Sequence, residues 1–368
     1  MNTQTLTERL FNQPTAPFRE SFVLAEIKSI LEENKIPYFE DSVGQIIAGV
    51  SSAQKLKSKD HVAFFAHTDH PGFIIHEKIS AYKYKATWYG GAPFHQMEGK
   101  LVRIFSDVTS EKFYKGTIRN FDLKGNHREG IPFEIETTKE LNEKAVKTKN
   151  YFGAFNFEGF KYRNGYVHTK CADDLAGCVM AIGALIDVKK LKVPAIAVFT
   201  RAEEVGFVGC LHMIKSKVIP MNTMVVSLEA SRTLPGALLG EGPVIRLGDA
   251  STLFDSNFSL FIQKQAQALK AKDQKFKFQK RIMDGGSCEA TALSQFGYKT
   301  MGLAVPLKNY HNQGVKGPAP EIIHLDDAEN GRRLLAEVAK NLKIFKTVGP
   351  DLQKRLMVNL KNLNKMLE

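Results

Sequence analysis

A chain of 368 residues with 43% hydrophobic and 24% charged residues can bury a large core, and this composition excludes an extended disordered protein. The net charge of +12 would suit nucleic-acid binding if the lysines were clustered, but they are scattered, so we predict no nucleic-acid partner. Residues 1–11 lack the features of a secretory signal, and no later segment approaches about 18 uninterrupted apolar residues. We therefore expect a cytoplasmic protein with no membrane partner.

The first predicted elements are a helix and a strand that pack together. Apolar residues recur at helical spacing in residues 18–34, and residues 44–50 have the pattern of a strand. The apolar run 61–66 then ends abruptly in the polar segment 67–72. This change predicts a buried strand that enters a loop.

Residues 73–166 differ in character from the rest of the chain. They contain alternating, aromatic and threonine-rich pieces punctuated by glycine, which is the pattern of short β-strands. We predict a small β domain here. It would be inserted into a catalytic domain formed by residues 1–72 and 167–368.

Helical and apolar strand patterns alternate after residue 166. Such alternation is typical of βαβ units on a mostly parallel sheet that is covered by helices on both faces. The sequence therefore predicts an α/β fold. The predicted elements are helix 174–191, strand 195–200, helix 205–216, strand 224–228, helix 287–296, strand 300–305 and helix 326–345.

Polar residues follow several of these predicted strands, at the edge where parallel α/β sheets bind their ligands. Imidazole and carboxylate groups together suit zinc, cobalt or manganese, and a carboxylate beside a metal ligand can serve as a general base. The candidates are His67 and Asp69 after strand 61–66, Asp173 before helix 174–191, Glu203 and Glu204 after strand 195–200, Glu229 after strand 224–228 and His311 after strand 300–305.

Most of these residues also have a structural explanation. A histidine and an aspartate at a strand end, such as His67 and Asp69, often form only a structural hydrogen bond. Asp173 suits a helix N-cap, and two adjacent glutamates suit a first helical turn, where they complement the helix dipole. Glu229 is harder to explain in this way, because an unpaired buried carboxylate is costly. The pattern alone leaves both interpretations open.

Taken together and in this order, the motifs resemble those of the M42 family of metallo-aminopeptidases, including its glutamyl and TET-like members. The M42 family is related to the M28 and M20 families. The resemblance covers nearly the whole chain. The motifs that carry it are HxDxxG at 67–72, DDxxG at 173–177, EEVGxxG at 203–209, Leu228-Glu229-Ala230 and Tyr310-His311, with support from residues 89–91, 242–246 and 285–287.

The resemblance implies an aminopeptidase that uses two divalent metal ions, with zinc expected first and cobalt or manganese as alternatives. His67 and Glu229 would hold one ion. Glu204 and His311 would hold the other, and Asp173 would bridge the two.

The resemblance also implies roles for the remaining candidates and for the inserted domain. Glu203 would be the general base for a water between the ions, and Asp69 would orient His67. The substrate would be a peptide. The inserted domain would be a barrel-like dimerisation or lid domain, and the chain would form homo-oligomers from a dimer up to a dodecamer.

Three departures from the family pattern affect the site and its pockets. Glu229 stands where the family usually has aspartate, residues 311–313 read His-Asn-Gln in place of His-Ser-Pro, and residues 287–289 read Ser-Cys-Glu. The last two segments are expected near the substrate pockets. A deacylase or carboxypeptidase-type amidohydrolase of the same fold is therefore the second hypothesis, and a catalytically inactive scaffold is the third.

Overall fold

The computed structural model describes residues 1–58, 61–191, 193–363 and 366, and the side chains of residues 346–351 are outside this description. Within the predicted catalytic domain, positions 59, 60, 192, 364, 365, 367 and 368 lie outside the described residues. Within the described part, no helix combines the length and the apolar character needed to cross a membrane.

Strands and helices alternate along most of the chain. The strands are β1 Tyr38–Glu40, β2 Ile46–Ala48, β3 Val62–His67, β4 Gly72–Ser80, β5 Lys83–Tyr89, β6 Leu101–Ser106, β7 Thr109–Arg119, β8 Ile131–Thr137, β9 Tyr151–Phe155, β10 Lys161–Arg163, β11 Tyr166–Thr169, β12 Ala195–Thr200, β13 Met224–Arg232, β14 Val244–Asp249, β15 Gln279–Met283, β16 Lys299–Leu307, β17 Gln313–Gly314, β18 Gly317–Pro318 and β19 Glu321–His324. The α-helices are α1 Thr3–Phe11, α2 Ser21–Glu33, α3 Ala53–Lys57, α4 Glu143–Lys147, α5 Leu175–Val188, α6 Val208–Ser216, α7 Ser256–Lys272, α8 Glu289–Gln295, α9 Leu325–Lys340 and α10 Val348–Leu363. Short 3₁₀ helices lie at Phe94–Gln96, Lys189–Leu191, Tyr310–Asn312 and Leu342–Thr347.

A mixed sheet with the order β1-β2-β12-β3-β13-β16-β14-β15 forms the centre of the fold. Its four middle strands, β12, β3, β13 and β16, run parallel, which confirms the prediction of a mostly parallel sheet in an α/β fold. The middle strands are apolar and buried, as expected for strands covered on both faces. Helices α1, α2, α5, α7 and α9 cover one face, while α3, α6 and α8 cover the other.

Strands β4, β5, β8, β7, β6 and β9 close into an antiparallel barrel between residues 72 and 155. The barrel has its own core, in which the rings of Phe73, Trp88 and Phe133 pack together. The chain enters the barrel directly after the loop that follows β3, because β4 begins at Gly72. The assignment of residues 73–166 as a separate inserted domain stays a prediction.

Several predicted boundaries are wrong, and backbone conformation explains two of them. The helix predicted at 18–34 begins at Ser21, because Phe18 has φ 67° and lies outside the helical region. The helix predicted at 205–216 begins at Val208 after Phe207 with φ 62°. The strand predicted at 224–228 continues to Arg232, because it stays paired with β16 over that length.

Glu229 therefore lies inside β13 and does not follow it, which corrects the predicted position. Ser227 pairs with Phe65, so Glu229 and His67 stand two residues further along neighbouring strands. The strand register brings both side chains to the same edge of the sheet.

Candidate metal centre

His67 is the last residue of β3, and its ring is buried. Its Nδ1 lies 3.1 Å from the carbonyl oxygen of Asp69. A hydrogen on Nδ1 would be donated to that carbonyl, which leaves the lone pair of Nε2 free to face the site. Nε2 lies 3.6 Å from Oδ1 of Asp173 and 3.8 Å from Oε2 of Glu203.

The carboxylate of Asp69 holds the turn that carries the two adjacent glutamates. Its Oδ1 accepts the backbone N–H of Glu203 at 2.9 Å, and its Oδ2 accepts that of Glu204 at 3.1 Å. The same carboxylate lies 3.5 Å from Nδ1 of His67. The predicted role of orienting His67 stays a prediction, and the hydrogen bonds of this carboxylate also fix the backbone of residues 203 and 204.

Asp173 lies between the two histidines. Its Oδ1 faces His67, and its Oδ2 lies 3.4 Å from Nε2 of His311. Burial alone would raise the pKa of Asp173, but His311 and His67 outweigh this effect and lower it. A carboxylate that stays ionised between two imidazoles has the geometry of a bridging metal ligand.

Three buried polar atoms of the site have no hydrogen-bond partner among the described residues: Oε1 of Glu204, Oε1 of Glu229 and Nε2 of His311. Glu204 Oε1 and His311 Nε2 are 3.1 Å apart, without hydrogen-bond geometry. Leaving a buried polar atom unpaired costs about 1–3 kcal/mol. Cations bound at these residues would satisfy all three atoms, so the residues fit a metal site.

The remaining pKa shifts follow from burial and from the density of charge. Burial raises the pKa of Glu229 to about 8 and raises that of Glu203 well above its ordinary value. Burial would lower the pKa of His311, but Glu204 and Asp173 raise it to about 10. A cluster of this kind needs positive charge, which a metal ion supplies.

The donor atoms form overlapping sets in which every member lies within 4.8 Å of the others. The residues predicted to hold each ion lie together in two of these sets, which share Asp173. A third set contains Glu203. The sets are His67, Asp173 and Glu229; Asp173, Glu204 and His311; and His67, Glu203 and Glu204.

Two buried residues near the site were not predicted from the sequence. Glu321 accepts the backbone N–H groups of Ala172 at 2.6 Å, Asp173 at 3.3 Å and His311 at 2.8 Å. His70 lies at a variable position of the HxDxxG motif, yet its Nδ1 bonds the carbonyl oxygen of Asp173 at 2.7 Å. Both residues fix the backbone that carries the ligands. No periodicity or spacing in the sequence marks Glu321.

Two neighbouring cavities are lined by residues of the cluster. One of about 220 Å³ is lined by Arg128 and Phe207 together with Glu203, Glu204 and His311. Another of about 170 Å³ is lined by Glu229, Arg246, Ser287 and Tyr310, among others. Ser287 lines both cavities, as expected for the segment 287–289, whereas Cys288 and Glu289 are buried. A larger cavity of about 700 Å³ lies at the opposite edge of the sheet, where β13 and β16 begin.

Comparisons with known proteins find similarity over most of the chain. The model of the M42 glutamyl aminopeptidase family matches residues 44–334. A curated putative aminopeptidase of Acetivibrio thermocellus is 22% identical over 322 residues, which cover 86% of this chain and 90% of the relative. The solved structure of the Pyrococcus horikoshii TET1 peptidase has a TM-score of 0.72 and 22% identity, covering 92% of this chain and 99% of that chain. The TET aminopeptidase of Thaumarchaeota archaeon SCGC AB-539-E09 has a TM-score of 0.73 and 19% identity, covering 92% and 97%.

Proposed function

The chain belongs to the M42 peptidase family and is therefore a hydrolase of the peptidase class, and on that premise we propose that it is a metal-dependent aminopeptidase. It removes residues from the N-terminus of peptides. The observation that carries this proposal is the pair of ligand sets that share Asp173. A carboxylate shared by two ligand sets suits the spacing of about 3.5–4 Å between the ions of a dinuclear hydrolase.

The ligands are assigned by donor type and distance. His67 and Glu229 would hold one ion, Glu204 and His311 would hold the other, and both sets would share Asp173. Imidazole and carboxylate donors accept zinc first, with cobalt or manganese as alternatives. When bound, the ions would polarise the scissile carbonyl and lower the pKa of water.

Glu203 is proposed as the general base. Its carboxylate reaches into the cluster, with Oε2 at 3.8 Å from Nε2 of His67. Burial raises the pKa of Glu203 well above its ordinary value, which is the direction that strengthens a carboxylate as a general base. Glu203 would take a proton from water and later give it to the leaving amine. Asp69 keeps the glutamate in place through the backbone N–H of residue 203.

The proposal includes assembly of identical chains. The Pyrococcus horikoshii TET1 peptidase can assemble into a tetrahedron or a large octahedral shell. The barrel of the present chain, within the proposed inserted domain 73–166, exposes Leu101, Val108 and Phe113. Exposed apolar side chains of this kind suit a contact between subunits. We therefore propose that this protein also forms homo-oligomers, from a dimer up to a dodecamer.

Hydrolysis of a peptide panel tests the proposed function. The purified protein is stripped with a chelator, and zinc, cobalt or manganese is restored before free and N-acetylated peptides are added. Release of N-terminal residues only from free peptides, and only with metal, is expected. Cleavage of blocked peptides alone would indicate a deacylase, and no cleavage with metal bound would indicate a scaffold.

A further inference from the structure

The turn after β12 has an unusual backbone for the segment that carries two proposed site residues. Ala202 has φ 52°, Gly206 has φ 104° and Phe207 has φ 62°. Non-glycine residues rarely adopt positive φ, and they keep it only where the surroundings hold them there. The position of Glu203 and Glu204 therefore depends on whatever fixes this turn.

Three consecutive backbone N–H groups of the turn are each held by a buried carboxylate. Asp69 accepts those of Glu203 and Glu204. Glu20 accepts that of Ala202 through Oε1 at 3.1 Å. Glu20 precedes α2 and is fully buried. It lies 182 positions before Ala202 in the sequence.

Glu20 has further donors that lock its own side chain. Its Oε2 accepts from Nε of Arg201 at 2.9 Å and lies 2.8 Å from Nη2 of the same guanidinium. Its Oε1 also accepts the backbone N–H of Phe18 at 2.9 Å. The carboxylate therefore binds both the residue before Glu203 and the side chain of Arg201. A carboxylate with this many donors has little freedom to move.

The rest of the same N-terminal segment contacts the two other stretches that carry proposed ligands. The hydroxyl of Thr15 donates to the carbonyl oxygen of Thr68 at 2.7 Å, next to His67. Lys170 lies three residues before Asp173, and its ammonium group donates to the carbonyl oxygen of Phe11 at 2.7 Å. These N-terminal residues precede the part of the chain that matches the family model, which begins at residue 44.

We propose that Glu20 is a positioning residue of the metal centre, acting through Ala202 and Arg201 on the side chains of Glu203 and Glu204. The inference rests on the proposed function, because it assigns a task in that same site. Glu20 is not a member of any of the three sets of candidate metal ligands. It sets the direction in which the two glutamates leave the turn.

The test compares Glu20→Ala and Glu20→Gln with Glu26→Gln. Glu26 lies in α2 and is a partly buried glutamate that also pairs with an arginine, Arg9, so it is a matched control. Metal affinity is measured by competition with a chelating indicator, and the visible spectrum of the cobalt-loaded protein reports ligand geometry. Thermal unfolding, kcat and KM are measured on the same preparations.

We expect Glu20→Ala to weaken metal binding by about 10–100-fold, the usual effect of losing a partner that orients a ligand. The cobalt spectrum should change and kcat should fall, while KM stays within about twofold because substrate contacts are not altered. The metal affinity and kcat of Glu20→Gln should lie between those of the wild type and Glu20→Ala, because its carboxamide oxygen can still accept the backbone N–H of Ala202. Glu26→Gln should match the wild type in every metal measurement.

A folded Glu20→Ala protein with wild-type metal affinity, spectrum and kcat would overturn the inference. If Glu20→Ala does not fold, Glu20→Gln is decisive: an unchanged cobalt spectrum and kcat would again overturn it. The metal measurements need no substrate, so they separate this inference from the proposed function. A wild-type protein that binds metal without cleaving peptides would contradict the proposed function. The metal-binding comparison of the Glu20 variants would still test the inference.

Discussion

Replacement of Glu321 should destabilise the protein and disturb the metal centre together. Its carboxylate accepts the backbone N–H groups of Ala172, Asp173 and His311, and it is fully buried. Glu321→Ala removes the partner of three buried donors, each worth about 1–3 kcal/mol when left unpaired. The expected loss in the free energy of unfolding is therefore at least about 3 kcal/mol. In Glu321→Gln one of the two carboxylate oxygens becomes an amino group, so the expected loss is about 1–3 kcal/mol.

The assay is urea unfolding of chelator-treated protein, which keeps metal binding out of the measured free energy. Burial raises the pKa of Glu321 to about 8, so the measurement is made at about pH 5, because above that pKa the loss of a buried charge would offset the loss of the hydrogen bonds. Glu241→Gln is the control, because Glu241 is exposed and pairs with Lys277 at the surface. A Glu321→Ala protein within about 0.5 kcal/mol of the wild type, the range of ordinary surface substitutions, would refute this reasoning.

Three further predictions follow from the site and from one distant carboxylate. Glu203→Gln should keep metal binding but lower turnover by about 100 to 10,000-fold, the usual contribution of a general base, and steady-state kinetics with metal analysis check this. Glu229→Gln should weaken the binding of one of the two ions by about tenfold or more. Elemental analysis of the dialysed protein should then give closer to one metal ion per chain. Asp327 accepts the backbone N–H groups of Gly240 and Gly242, and burial raises its pKa to about 7. The folded state then binds more protons than the unfolded state between about pH 4 and 7, so this group's contribution to stability falls as pH rises through that range. Asp327→Asn should remove that part of the slope, and parallel pH dependences of urea unfolding for both proteins would contradict it.

The central sheet could be predicted because its strands are apolar and buried on both faces. The strand 195–200 was predicted with the observed ends, and strand 300–305 lies within Lys299–Leu307. The gathering of His67 and the 203–204 pair follows from the same logic, since the carboxyl ends of parallel strands share one edge. Helix α1 was missed, although Leu6, Leu10 and Phe11 are buried, because its other residues are polar.

The residues that fix the site could not be predicted from local patterns. Glu321 binds Ala172 across 149 positions in the sequence, and Glu20 binds Ala202 across 182. Both bind backbone N–H groups, which every residue except proline carries, so no side-chain pattern marks the partner. Strands β14 and β15 with α7 between them were also not predicted. The extension of β13 past Leu228 depends on its pairing with β16, which becomes visible only in the sheet.

Titration of chelator-treated protein with cobalt, followed by both peptide hydrolysis and the visible spectrum, tests the central claim most directly. The account predicts that two ions bind per chain and that N-terminal residues are released from free peptides only as these sites fill. Hydrolysis by the metal-free protein, or full binding of two ions without release of any N-terminal residue, would contradict it.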